Sequence, residues 1–396
     1  MLILMSKIGR TRFESLLAQL MEYREWVRLA EFQTRKGLLT QAREILTLKH
    51  AGGKCGVTDY YRFKLYDPDY LRGRGAKDFL GWRLQDSFNY SLNPRHAVLP
   101  AWDKIVFHQL ANSAGLPIVP VKATFHRGIN LPELLGLHLR TGHEAEMYLR
   151  DRSNYPIFAK PAYSQQGFGT AYLVGYEADS DSIVFIDGNK ISVPDFVLRL
   201  SVSVDHRYHN PECGFLFQEP LKLAPEIEAL TGWPATCSVR IVCLNGPDGV
   251  EPIGAAWKVA VPPNHVDNFH MGGYGNLVAE VDLSSGVVGR VVDGFWPKTK
   301  IWKTHPRSGK PFEGFRLPSW DRLLQVCNEA GAVFPLMKIH HWDFALTDSG
   351  PVIIELNDMG GTRIVQLLGH GLLTEVTREF LKQNADRKAH PWVNEL

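Results

Sequence analysis

The stretch 339–358 constrains this chain more than any other. It reads Ile-His-His-Trp-Asp-Phe-Ala-Leu-Thr-Asp-Ser-Gly-Pro-Val-Ile-Ile-Glu-Leu-Asn-Asp. Thr347-Asp348-Ser349-Gly350-Pro351 is turn chemistry between two apolar runs, so a β-hairpin is expected. Side chains alternate faces along a strand. His341, Asp343 and Ala345 then share one face, and Ile353, Glu355 and Asn357 share one on the second strand. If Leu346 pairs with Val352, Asp343 lies opposite Glu355. Like charges facing one another destabilise a sheet. Two carboxylates and an amide oxygen converging there suit a hard divalent cation. Mg²⁺ is held by one or two carboxylates together with substrate phosphates. The alternative is an edge hairpin with solvated acids.

The rest of the composition narrows the class. A chain of 396 residues has room for two or three domains. Hydrophobic residues make up 44% and charged residues 22%, as in a soluble globular protein. A net charge of +2 provides no global field for nucleic acid or an anionic membrane. The opening Met-Leu-Ile-Leu-Met-Ser-Lys is too short an apolar run for a signal peptide or a spanning helix. The five cysteines are odd in number and lack a CxxC pair, which points to reduced thiols and a cytoplasmic protein.

Along the chain, residues 8–50 are expected to be helical, with Phe13, Leu16, Leu17 and Leu20 at helical spacing. Residues 57–95 are aromatic-rich and spacing assigns them no element. A helix is expected from Pro100 to Ser113, with Lys104 unfavourably placed near its start. Residues 131–150 are expected to be helical, as is the stretch from Pro194 to Val204. Residues 155–161 form a strand ending in Lys160. A loop with Ser164, Gly167 and Gly169 then leads into a second strand; glycine lets backbone N–H groups approach phosphate closely. This is neither a Walker loop nor a Rossmann turn. An ordinary hairpin loop is the alternative reading. Arg240 and Lys258 are lone cations in two otherwise apolar strands. They are either salt-bridged or a clamp on an anion. Asn268 lies in a second glycine-rich loop. The histidines show no metal-ligand spacing.

Together these pieces resemble the ATP-grasp superfamily, in its sugar-transfer-associated and RimK-like branches, over about residues 95–375. The order and spacing of the motifs carry the resemblance. Asp103-Lys104 and Phe158-Ala159-Lys160-Pro161 are similar to the segments whose lysines reach nucleotide phosphates. Ser164 to Thr170 resembles the loop that closes over them. Gln218-Glu219-Pro220-Leu221 sits where the family binds adenine, and Glu226 or Glu228 where it binds ribose. Asp343, Glu355 and Asn357 match the magnesium ligands. Arg240, Lys258 and Asn268 resemble the substrate-and-phosphate side, with lysine at 258 where many relatives carry arginine. Arg363, past the hairpin, completes the catalytic candidates Arg240, Lys258 and Arg363.

The resemblance implies an α+β ATP-grasp fold, two subdomains clasping ATP, behind a helical and partly irregular N-terminal region. The divisions expected are 1–95, a pre-grasp segment 96–154, a lid 155–220, a large subdomain 221–385 and a tail 386–396. It implies ATP and two Mg²⁺ ions, with Mn²⁺ as a substitute. The implied reaction is carboxylate–amine ligation through an acylphosphate, releasing ADP and phosphate. Partners are then a small carboxylate and a small amine, with no nucleic acid, no membrane span, and a homodimer as a candidate assembly. The alternatives are a small-molecule kinase on the same fold and a non-catalytic nucleotide-binding module.

Overall fold

The computed structural model describes residues 2–127, 135–164, 167–202 and 211–396. Two sheets carry these residues. The first contains β1 Val121–Phe125, β2 Leu137–Leu139, β3 Ile157–Pro161, β4 Ala171–Glu177, β5 Ser182–Phe185, β6 Lys190–Ser192 and β7 Phe215–Gln218. Its order is β2-β1-β7-β3-β4-β5-β6. The second contains β8 Ser238–Gly246, β9 Gly249–Val259, β10 Leu277–Val281, β11 Val288–Val292, β12 Ile339–Thr347 and β13 Gly350–Asn357. Its order is β11-β10-β9-β8-β12-β13. The β1–β2 pair is parallel, whereas the β8–β12 and β12–β13 pairs are antiparallel.

β8 and β12 are neighbouring interior strands of the second sheet, buried on both faces, which is why they read as near-continuous apolar runs. Alternation splits their side chains between two cores. Val239, Ile241, Trp342 and Phe344 pack on one side with Phe107, Ile227 and Leu323, from helices Lys104–Ser113, Pro225–Thr231 and Trp320–Val333. Val242, Leu244 and Ile339 face the other way, into a core filled by Trp26, Tyr60, Tyr61, Phe63, Phe79 and Phe88. Residues 57–95, for which spacing suggested no element, are therefore short helices (Val57–Arg62, Pro68–Leu71, Gln85–Leu92) covering a sheet face. Tyr61 stacks on Trp296 with centroids 5.8 Å apart, and Trp26 meets both rings.

Several expected elements differ in detail. The helix expected over 8–50 is two helices, Leu2–Thr34 and Leu38–His50. The helix from residue 100 breaks at Asp103 into Leu99–Trp102 and Lys104–Ser113. The Asp103 carboxylate accepts the N–H groups of Ile105 (2.8 Å) and Val106 (3.3 Å), capping the second helix. That negative charge offsets the Lys104 ammonium at the helix start. The helix expected over 131–150 is confined to Gly142–Arg150, because Leu137–Leu139 pairs with β1 and Thr141 forms a capping box with Glu144. Residues 131–134 of that stretch lie outside the described residues. The helix expected from Pro194 spans Val193–Leu200, and residues 203 and 204 lie outside the description.

Candidate functional site

The hairpin is present, with a register subtler than simple alternation suggests. At the turn, Leu346 pairs with Pro351, not Val352, and Phe344 pairs with Ile353. A bulge then inserts Ile354, so Asp343 lies opposite Glu355 after all. The bulge also separates Ile353 from Glu355. Ile353 and Leu356 face the core with Trp342 and Phe344, while Glu355 and Asn357 face a cleft. Asp343 also lies directly opposite Arg240 of β8, so Arg240, Asp343 and Glu355 form one row across three strands.

Each end of that row has its own environment. Arg240 donates through Nε (2.5 Å) and Nη2 (2.7 Å) to the two Asp343 oxygens, and Lys258 Nζ reaches one of them at 3.2 Å. All three side chains are buried. Burial pushes the Asp343 carboxyl up, but Arg240 and then Lys258 outweigh it and hold it well below the usual carboxylate range. Lys258 also lies 3.5 Å from Asp267, whose carboxylate accepts from the Ser238 backbone N–H and hydroxyl. The Arg240 and Lys258 charges are thus met by protein carboxylates. Glu355 accepts only from Asn357 Nδ2 (3.2 Å) among the described residues.

Lys104 and Lys160 reach the same place from the other side. The Lys104 backbone N–H donates to Ala162 O (3.1 Å), tying the helix start to the end of β3. Its ammonium donates to Ser164 O at 2.9 Å. Lys160 Nζ donates to Ile354 O, the bulge carbonyl, at 3.4 Å. Burial and then the neighbouring Lys104 push Lys160 down to about 7, against the pull of Glu355. Burial likewise lowers Lys104, with Glu355 opposing it.

Between the sheets these groups line one cleft of about 690 Å³. It is bounded by Lys104, Lys160, Ser164 and Gly167; by Gln218, Glu219 and Leu221; by Arg240, Lys258 and Asn268; and by Asp343, Glu355, Asn357 and Arg363. Gly167 sits at φ +72°, and a Cβ there would come within 2.5 Å of Asn268 Nδ2. The first glycine loop therefore lies against the second. Gly169, also at positive φ, packs on Pro161 and is not on the wall. Gln166 and Gln165 of that loop lie outside the described residues. Gln218 is buried and its amide meets His108 Nε2 at 3.1 Å.

Glu226 departs from the expected arrangement. It sits in the first turn of helix Pro225–Thr231 and lines a separate depression with Arg316 to Arg322, away from the cleft. Glu228 is exposed on that helix and is not on the cleft wall either. The cause is the cap: Pro225 starts the helix immediately, turning its polar face outward while Ile227 and Leu230 face the core. Sequence reasoning missed Asp267, although its place one residue before Asn268 was a usable signal. It also missed Asp86, Asn89 and Trp102, which reach the wall from the N-terminal side and carry no motif.

The sequence model of the sugar-transfer associated ATP-grasp family matches residues 83–381. The chain belongs to that family. The match covers both sheets and every cleft residue expected from the sequence. None of the curated proteins compared with this ATP-grasp chain matches it. Among solved structures it is similar to D-alanyl-alanine synthetase A from Vibrio cholerae O1 biovar eltor str. N16961 (11% identity, 74% of this chain and 66% of that one, TM-score 0.40). It is also similar to an L-amino acid ligase from Bacillus licheniformis (10%, 74% and 50%, TM-score 0.36). A third is N5-carboxyaminoimidazole synthase from Aspergillus clavatus, described with ADP and 5-aminoimidazole ribonucleotide (10%, 74% and 58%, TM-score 0.36). The chain spans about half to two thirds of the length of these proteins. No helix among the described residues is long and apolar enough to cross a membrane.

The donor set can be tested for a divalent cation. Asn357 spends its N–H groups on His341 O (3.4 Å) and Glu355 (3.2 Å), which leaves its amide oxygen for a ligand. Glu355 beside it supplies a carboxylate. These two oxygens fit a Mg²⁺ ion completed by substrate phosphates. Asp343 Oδ1 accepts only from Arg240 Nε and keeps a lone pair that a cation could use, whereas Oδ2 accepts from both Arg240 and Lys258.

Proposed function

We propose that the chain is an ATP-dependent carboxylate–amine ligase. The observation that carries this reading is the convergence of two buried ammonium groups, Lys104 and Lys160, on Glu355 and Asn357 at one cleft. Lys104 and Lys160 hold phosphate oxygens, since a buried ammonium is a strong point charge for phosphate. Gln218, Glu219 and Leu221 border the base. Ser164 and Gly167 border the phosphate end, where water must be kept from an acylphosphate. Glu355 and Asn357 would hold magnesium, which would supply positive charge against the negative charge that develops during phosphoryl transfer.

In the proposed reaction a carboxylate oxygen attacks the γ-phosphorus and the bond to ADP breaks. An amine then attacks the acyl carbon, phosphate leaves, and the amine loses its proton. In this reading Arg240 and Lys258 stabilise the charge that develops on the acyl oxygen, where electrostatic stabilisation is commonly the largest single contribution. A cytoplasmic setting is part of this proposal and is supported by five cysteines without a disulfide among them.

The test is product analysis by phosphorus NMR with pooled acids and amines. Ligation requires ADP and free phosphate to form only when both substrates are present. A phosphorylated small molecule that accumulates instead would establish the kinase reading and overturn this one.

A further inference from the structure

Part of the cleft wall comes from the N-terminal side of the chain, and that part is built differently. Besides the residues named above, its wall includes Asp86 and Asn89 from helix Gln85–Leu92, Trp102, Phe295 and Arg363. Arg363 is half-buried, and among the described residues no hydrogen bond or ion pair holds its guanidinium. Arginines removed from water are ordinarily paired. Its nearest charged neighbours make matters worse as well as better. Burial and then Arg62 lower its basicity, while Asp59 and Asp86 oppose them. Asp59 is already occupied, since its two oxygens accept the N–H groups of Gly56 (2.9 Å) and Trp82 (3.1 Å). Arg62 lies behind the wall, with its guanidinium carbon 5.9 Å from the centroid of Phe295. Arg363 therefore faces the cleft with Asp86 on the same wall and, among the described residues, no carboxylate within ion-pair distance, while Arg62 does not reach the wall. Arg240, the obvious alternative for a substrate anion, has Nε and Nη2 on Asp343.

We infer that this part of the cleft is the second-substrate subsite, and that it binds a small molecule through an anionic group, carboxylate or phosphate monoester, placed on Arg363. The inference rests on the ligase reading for its assignment to a substrate. The anion completes a fork-shaped donor that the protein leaves open. Trp102 forms the flanking surface, held in place by its indole N–H to Asp358 (2.8 Å). Asn89 is fixed by His341 Nε2 at 2.7 Å. The N-terminal region thereby has a chemical role beyond covering the sheet. Asp59 and Arg62 precede residue 83, where the family match begins.

The experiment uses the full chain saturated with a non-hydrolysable ATP analogue and Mg²⁺, so that the lysine end is filled. Succinate and glycerol 3-phosphate are titrated separately by calorimetry, which tells a carboxylate from a phosphate. Binding of at least one is expected. Arg363→Gln should weaken it about ten- to a hundred-fold, the loss of one charge-assisted contact. Arg363→Lys, which keeps the charge and guards against misfolding, should recover part of it. Nucleotide affinity should stay at the wild-type value in both variants. If neither probe binds the wild type, or if Arg363→Gln binds it unchanged, the subsite is refuted. Failure of the analogue to bind in the first step would instead refute the nucleotide site.

Discussion

Asp343 lies between charges of both signs, and its state decides what the cleft floor can do. Asp343→Asn would leave Arg240 and Lys258 buried with one carboxylate fewer. Breaking a buried pair this way costs about 3–5 kcal/mol, read by urea denaturation. Glu355→Gln should behave differently. It removes a carboxylate that makes no direct ion pair among the described residues but supports the charge of Lys104 and Lys160, so the stability loss should be smaller than for Asp343→Asn while Mg²⁺-dependent ATP turnover falls about a hundred-fold or more. Lys160 sets a pH dependence. Its folded pKa, about 7, lies below the ordinary lysine value because of burial and Lys104. Above pH 7 the unfolded chain holds a proton that the folded chain has lost, so this group makes stability rise with pH up to the unfolded lysine value. Phosphate binding demands the ammonium. ATP affinity should therefore fall as pH rises above 7, with proton uptake on binding. Calorimetry in two buffers of different ionisation enthalpy measures that uptake, and Lys160→Gln should abolish it. His108 does not contribute, since burial and the two lysines keep it neutral.

At the scale of elements, the segment following β13 is laid directly on the charged row. A Cβ on Gly360 would approach His341 Cβ to 2.3 Å and Arg240 Nη1 to 2.7 Å. Gly360→Ala should therefore displace the row and cost about 1–3 kcal/mol of stability, with a loss of turnover, both compared with wild type in one assay series. The bulge at Ile354 has a second function. Its carbonyl is the acceptor for Lys160, so one irregularity both returns Glu355 to the cleft face and anchors a lysine from the other sheet.

In the molecule as a whole, the N-terminal region completes the second sheet. Its aromatics cover the face that Val242, Leu244 and Ile339 would otherwise expose. Trp26 is 2% exposed within this core. Trp26→Ala should destabilise the whole chain by about 3–5 kcal/mol in equilibrium unfolding, not merely fray the first helix. A chain truncated before residue 96 should aggregate on size-exclusion chromatography, since the uncovered face is a contiguous apolar patch.

Much of this was legible in the residues alone. Turn chemistry flanked by apolar runs determined the hairpin, because backbone geometry there is a local property. The lone charges in apolar strands, Arg240 and Lys258, were visible for the same reason: burial makes a charge conspicuous against its neighbours. The tertiary structure alone decided which charges meet. Asp343 closes on Arg240 because β8 lies beside β12, a pairing of residues 103 apart in sequence. It also decided that Glu226 turns away from the cleft and that Asp86 and Arg363 share a wall. The hairpin of 339–358 thus contained its own strands and turn, but its two carboxylates acquired different partners only through distant elements. Coulomb and hydrogen-bond energies depend on distance in space, and sequence separation does not set that distance.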